Sequence, residues 1–164
     1  DMQTVLENMM FSGSNLKNDS LFSSLIQLPT QKKHENLLRE KAFKIMQDLN
    51  IDHMADSYAR ELSGGQKKLL ELGRSIINEP EILLLDEPLA GVNPKLAEEI
   101  LSIIQKLSDQ GISIIMVEHN IEAVMKISKR VIVLAEGSVI ADGNPEEVRK
   151  NPKVIEAYLG AGNE

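Results

Sequence analysis

The sequence predicts an α/β fold: a helical leading segment, then a core of mostly parallel strands, then a hairpin and short helices. Three observations predict it. In residues 31–50, Leu37, Leu38, Ala42, Ile45, Met46 and Leu49 recur at helical spacing with Lys, Arg and Glu between them. From residue 62 onward, short continuous apolar runs alternate with helix-length segments, as in a layered sheet with crossover helices. Near the end, Glu136-Gly137 separates two short strand-like runs.

Taken in order, residues 2–10 are compatible with a short helix, residues 12–20 are polar and loop-like, and residues 21–28 are apolar and stop at Pro29. The amphipathic helix over residues 31–50 is followed by a short helix or loop over residues 51–61. Ser63, with Gln66 three positions later, forms a capping-box pattern for a helix reaching about Asn78, and Pro80 lies beyond its end. Ile82–Asp86 and residues 112–117 are continuous apolar runs, the pattern of strands buried on both faces. Asn93-Pro94 reads as an N-cap with proline at the first helical position, and the helix it opens runs to Gly111. Ile121–Ile127 is a short helix. Residues 131–135 and 138–141 form the hairpin, and residues 145–150 and 152–159 form two terminal helices. The expected division is 1–61, a helical subdomain, and 62–164, part of an α/β core.

The 164 residues suffice for one domain, and a chain of this size can bury roughly 70% of its unfolded surface. With no Trp and few aromatic residues, the core must be aliphatic. A net charge of −7 argues against a nucleic-acid partner, which would need a basic face to neutralise phosphates. Without Cys there are neither disulfides nor thiolate metal sites. No apolar run reaches the roughly 20 residues that cross a bilayer. The first ten residues lack the basic start and apolar centre of a signal peptide. They do not begin with Met, and the chain reads as part of a longer protein.

Three places carry chemistry. In Leu62-Ser63-Gly64-Gly65-Gln66, two glycines bare backbone N–H groups at a helix start, where the dipole favours an anion and Ser63 adds a hydroxyl. The plain alternative is a capped helix after a glycine turn. In Ile82-Leu83-Leu84-Leu85-Asp86-Glu87-Pro88, a buried strand ends in two carboxylates that point to opposite sides. One can hold Mg²⁺ through water while the other orients or deprotonates an attacking water. Two surface acids at a strand end would look the same. His119, in Val117-Glu118-His119-Asn120, follows the second strand and can hydrogen-bond a phosphate. Alone it reads more readily as a solvated histidine. His34 and His53 read as surface residues without a role. The order of the three features on a strand–helix–strand frame favours the chemical reading over three separate coincidences.

At these residues the chain resembles the ATP-binding-cassette (ABC) family. Leu62-Ser63-Gly64-Gly65-Gln66 is similar to its signature motif, and Ile82 to Glu87 to its Walker B strand with the adjoining glutamate. Ala90-Gly91-Val92-Asn93 is similar to its D-loop, His119 to its switch histidine, and residues 131–142 to its closing hairpin. Asn93, where most members carry Asp, resembles the branched-chain amino-acid importer group, as does the ending over residues 151–160. No GxxxxGK[ST] loop occurs in the sequence, so the backbone cradle and lysine for the β- and γ-phosphates are missing. The adenine-stacking aromatic residue and the glutamine loop are expected before residue 1.

The resemblance implies a P-loop NTPase core and an ATPase subunit of a transporter, with branched-chain amino acids as the expected cargo. It implies that ATP, held by a second ATPase subunit, contacts Ser63, Gly64, Gly65 and Gln66. Asp86 would hold Mg²⁺, Glu87 would act as general base, and His119 would contact the γ-phosphate. Asn93 would face the partner cassette. Transmembrane permease subunits would be gripped through the helical subdomain, at the cytoplasmic face of the cell membrane. Two other readings stand beside it. One is a non-transport ABC-type ATPase, although neither the sustained heptads of the repair type nor the charged linker of the translation type occurs. The other is a folding or binding module without catalysis, the behaviour expected of the 164 residues by themselves.

Overall fold

The computed structural model describes residues 2–14 and 29–159. The expectations for residues 15–28, the rest of the polar loop and the apolar run before Pro29, lie outside the described residues, as does Gly160. The chain divides into two compact units, Asp1–Met116 and Val117–Glu164.

The first unit opens with α1 (Val5–Gly13) and α2 (Pro29–Asp48), followed by 3-10 turns at Asp52–Met54 and Ala59–Glu61 and by α3 (Gly64–Ile76). Thr4 caps α1 through a capping box. Its hydroxyl accepts from the Glu7 N–H at 3.2 Å, and its own N–H donates to Glu7 Oε2 at 2.7 Å. The next two free N–H groups, of Val5 and Leu6, donate to the Ser57 and Ala55 carbonyls. Val5 and Met9 of α1, Ala42 and Met46 of α2, Leu49 just after it, and Leu69, Leu70 and Ile77 of α3 and its end are buried.

This packing is close. A Cβ on Gly73 would lie 2.9 Å from both Leu49 Cδ1 and Met9 Sδ, so α1 and α2 press on α3 where it has no side chain. Polar ties add direction. Arg74 Nε donates to Ser12 Oγ at 2.7 Å, Asn78 Nδ2 to the Ser12 carbonyl at 2.8 Å, and Lys41 pairs with Glu79 at 2.8 Å.

The same unit continues through β1 (Ile82–Asp86), α4 (Pro94–Asp109) and β2 (Ser113–Val117), whose last residue belongs to the second unit. The Ser113 N–H donates to the Glu81 carbonyl at 2.9 Å, joining the two strands at their leading ends, so β1 and β2 are parallel neighbours. That is the pairing a helix-length crossover implies. Asn93 caps α4, its Oδ1 accepting from the Leu96 N–H at 3.0 Å ahead of Pro94. Ile100, Leu101, Ile103, Ile104 and Leu107 bury one face of this helix.

The expectation that both strands are buried on both faces is corrected. Leu83 is buried, but Ile82, Leu84, Ile115 and Val117 are between 59% and 71% exposed. A run of apolar residues records that both faces prefer cover; it does not say that the described residues provide it.

The second unit holds α5 (Ile121–Ile127), the antiparallel hairpin β3 (Val131–Ala135) and β4 (Ser138–Gly143), α6 (Pro145–Arg149), α7 (Pro152–Val154) and a π-type turn, Ile155–Leu159. Residues 152–159 therefore form a three-residue helix and a wider turn where one helix was expected. Glu136 and Gly137 have φ of 49° and 75°, the left-handed pair of a two-residue hairpin turn. A bulge between Val133 and Leu134 shifts the register. Val131, Ala141, Val148 and Val154 form the core of this unit. Arg130 makes a bidentate pair with Asp142, 2.8 Å at each contact, and the Tyr158 hydroxyl donates to the Leu134 carbonyl. No helix among the described residues is long and apolar enough to cross a membrane.

Candidate functional site

The start of α3 is closed by a reciprocal pair of hydrogen bonds. Ser63 Oγ accepts from the Gln66 N–H at 3.3 Å, and Gln66 Oε1 accepts from the Ser63 N–H at 2.8 Å. This reciprocal clamp fixes both side chains and still leaves the Ser63 hydroxyl proton and the Gln66 amide N–H₂ for a ligand. The N–H groups of Gly64 and Gly65, the first two of the helix, have no acceptor among the described residues. Ser63 and Gly64 are exposed; Gly65 and Gln66 are half-buried.

The two glycines differ in what surrounds them. A Cβ on Gly64 would meet nothing within 4 Å, whereas one on Gly65 would lie 2.2 Å from Leu96 Cδ2 in α4. The missing side chain of Gly65 thus seats α4, and its neighbour keeps the open approach. The contact also places the residue-62–66 motif beside the start of α4, which Asn93 caps.

Asp86 ends β1 and Glu87 follows it; both are exposed. Glu87 has φ of 44°, in the left-handed region. Asp86 gives one exposed carboxylate, and no group of three metal-binding side chains occurs among the described residues. That donor set fits magnesium carried with a nucleotide, which is commonly held by one or two carboxylates together with phosphate oxygens and water. It does not fit an all-protein cation cage.

His119 lies two residues beyond β2, in the second unit. Its side chain is 72% exposed, with Nδ1 3.9 Å from Glu118 Oε2. The Glu118 side chain is fully buried and accepts, at 3.5 Å, from the Asn120 N–H; Asn120 in turn caps α5. Sequence reasoning passed over Glu118. The only signal was an acid directly before the histidine. His34 and His53 are exposed, as expected.

The sequence profile of the ABC transporter family matches residues 3–90. The chain belongs to the ABC transporter family. Residues 138–163 match a second profile, that of the branched-chain amino acid ATP-binding cassette transporter. Among curated ABC proteins, a probable branched-chain amino acid transport ATP-binding protein, LivG, of Archaeoglobus fulgidus is 42% identical over 158 residues. The match covers 96% of this chain and 60% of the relative. BraF of Pseudomonas aeruginosa, a high-affinity branched-chain amino acid transport ATP-binding protein, is 35% identical over 158 residues, covering 96% and 62%.

Solved ABC structures agree. A nucleotide-free ATP-binding cassette from an ABC transporter aligns with TM-score 0.76 and 37% identity, over 96% of this chain and 63% of that one. The ADP conformation of an ATP-binding cassette of an ABC transporter gives 0.75 and 35%, over 97% and 63%. The fold is thus that of an ABC ATPase, and the family binds nucleotide. The chain spans about 60% of the length of the curated relatives it matches.

Proposed function

We propose that this chain is the signature-bearing part of the ATP-binding subunit of an ABC transporter, coupling ATP hydrolysis to transport of a small solute, with branched-chain amino acids as cargo. The observation that carries it is the first unit itself: a capped helix start with two N–H groups unengaged among the described residues, and a parallel strand pair whose first member ends in Asp86, with Glu87 next. The matched relatives, named for branched-chain amino acid transport, support the cargo. Residues 1–61 act as the helical subdomain and 62–164 as part of the catalytic core.

In this reading the N–H groups of Gly64 and Gly65, the Ser63 hydroxyl and the Gln66 amide bind the γ-phosphate of ATP held by a second cassette. Asp86 would hold Mg²⁺ through water, and the ion would supply neutralisation of phosphate charge. Glu87 orients the attacking water and takes its proton. His119 donates to a γ-phosphate oxygen, with Glu118 beside Nδ1. Asn93 lies at the contact with the second cassette. Permease subunits at the cytoplasmic face of the membrane receive the movement of the helical subdomain.

The test is a completed cassette, in which this chain is joined to the portion of the Archaeoglobus relative that it does not match. Glu87→Gln should retain ATP binding and lower turnover on the order of 100- to 10,000-fold, the usual range for loss of a general base. Turnover equal to that of the parent would sink the catalytic assignment. The 164-residue chain by itself should show no hydrolysis above its own Glu87→Gln control.

A further inference from the structure

We propose that Leu89 is the positioning residue of the Glu87 carboxylate, acting through the turn that joins β1 to α4. The proposal rests on the reading of Glu87 as the group that orients and deprotonates the attacking water. Its starting point is the backbone of Glu87, held at φ of 44°. Two preferences oppose that value. A Cβ crowds the backbone in the left-handed region, which Gly and Asn visit far more readily than Glu. Pro88 follows, and a residue before proline is pushed toward extended backbone. A conformation against both preferences persists only where its surroundings over-determine it, and such residues cluster at sites of function.

The surroundings are visible in the turn. The Ala90 N–H donates to the Glu87 carbonyl at 3.1 Å and closes it, and the Val92 N–H donates to the Leu89 carbonyl at 3.4 Å. Gly91, at φ of 73°, lets the chain double back toward the cap at Asn93. Between Asp86 and Pro94, Leu89 is the one buried side chain, 7% exposed, while Glu87, Gly91 and Asn93 are exposed. The turn therefore has a single apolar anchor. With Leu89 seated, relaxation of Glu87 to extended backbone would require the rest of the turn to lift off the core. Relaxed, Glu87 would direct its carboxylate away from its present side of the strand end.

Two measurements test this. In the 164-residue chain, the amide–Hα coupling and Cα shift of Glu87 report its backbone conformation by NMR. Leu89→Ala should move both toward extended values, and Leu89→Met, which keeps the apolar volume, should hold them. In the completed cassette, Leu89→Ala should lower kcat on the order of 100-fold, the cost of a small misplacement of a reacting group, with KM for ATP unchanged, and Leu89→Met should restore it. Should Leu89→Ala unfold the chain, Leu89→Val gives the same comparison with a smaller loss of volume.

An unmoved Glu87 backbone in the alanine or valine variant overturns the proposal. So does a loss of kcat and ATP affinity together that Leu89→Met fails to rescue, since that is the mark of a purely structural residue. If instead Glu87→Gln turns over normally, the assignment of Glu87 as base fails, and the NMR comparison still decides what Leu89 holds.

Discussion

A side chain on Gly64 would project into open space, and one on Gly65 into Leu96. An acid in the first turn favours a helix through the dipole, so Gly64→Asp should leave α3 intact or slightly firmer. Beside a γ-phosphate the same acid is a like charge, and the repulsion is greatest where water is excluded. In the completed cassette carrying Glu87→Gln, Gly64→Asp should keep ATP affinity and abolish ATP-dependent dimerisation, read by size-exclusion chromatography. Equal dimer in both backgrounds would leave the residue-62–66 motif as a capped helix and nothing more. Gly65→Asp would mix this effect with displacement of Leu96.

A second residue-scale expectation concerns Asp142. Hydrogen bonds from Arg130 hold the Asp142 carboxyl below its ordinary value; burial opposes them, and the guanidinium charge adds to them. A depressed folded value stabilises the fold above the ordinary Asp range, and that contribution is lost as pH falls through the folded value. Arg130→Met should therefore raise the Asp142 titration midpoint seen by carboxyl NMR. An unchanged midpoint would show that the pair is not kept in solution.

At the scale of elements, Gly73 marks where α3 gives way to its neighbours. Gly is about 1 kcal/mol worse than Ala inside a helix, so a glycine here runs against propensity. The 2.9 Å approaches of Leu49 and Met9, both fully buried, account for it. Gly73→Val should cost about 1–3 kcal/mol through overpacking, measured as a lower urea midpoint, while a stability equal to the parent would mean that α1 and α2 yield freely.

Most of these elements were legible. Ile82–Asp86 and Ile121–Ile127 match the sequence reading to the residue, and the caps at Ser63 and Asn93 follow from side chains that compete for backbone N–H groups. The left-handed Glu87 was not legible, because neither Glu nor a following Pro signals that backbone. Nor was the double duty of Gly65, because Leu96 lies 31 positions away and propensity is silent on distant contacts. Residues 152–159 lost their expected helix to a wider turn at Ile155, where Tyr158 reaches the Leu134 carbonyl.

At the scale of the whole molecule, the decisive feature is the uncovered side of β1 and β2. Ile82, Leu84 and Ile115 present a row of branched aliphatic side chains to water. Such a row favours self-association or another apolar cover. The 164-residue chain should scatter light as dimers or larger species. Leu84→Glu combined with Ile115→Lys should shift it toward monomer, since both side chains stand where charge can be solvated. A monodisperse monomer of the parent sequence would count against this. The same row bears on lifetime inside a cell. Chaperones and proteases sort chains continuously, and an apolar stripe that stays on show resembles the unfolded proteins they remove. A copy whose stripe never finds cover would then persist at low abundance however sound its hydrogen bonds, and its level would report on assembly rather than on synthesis.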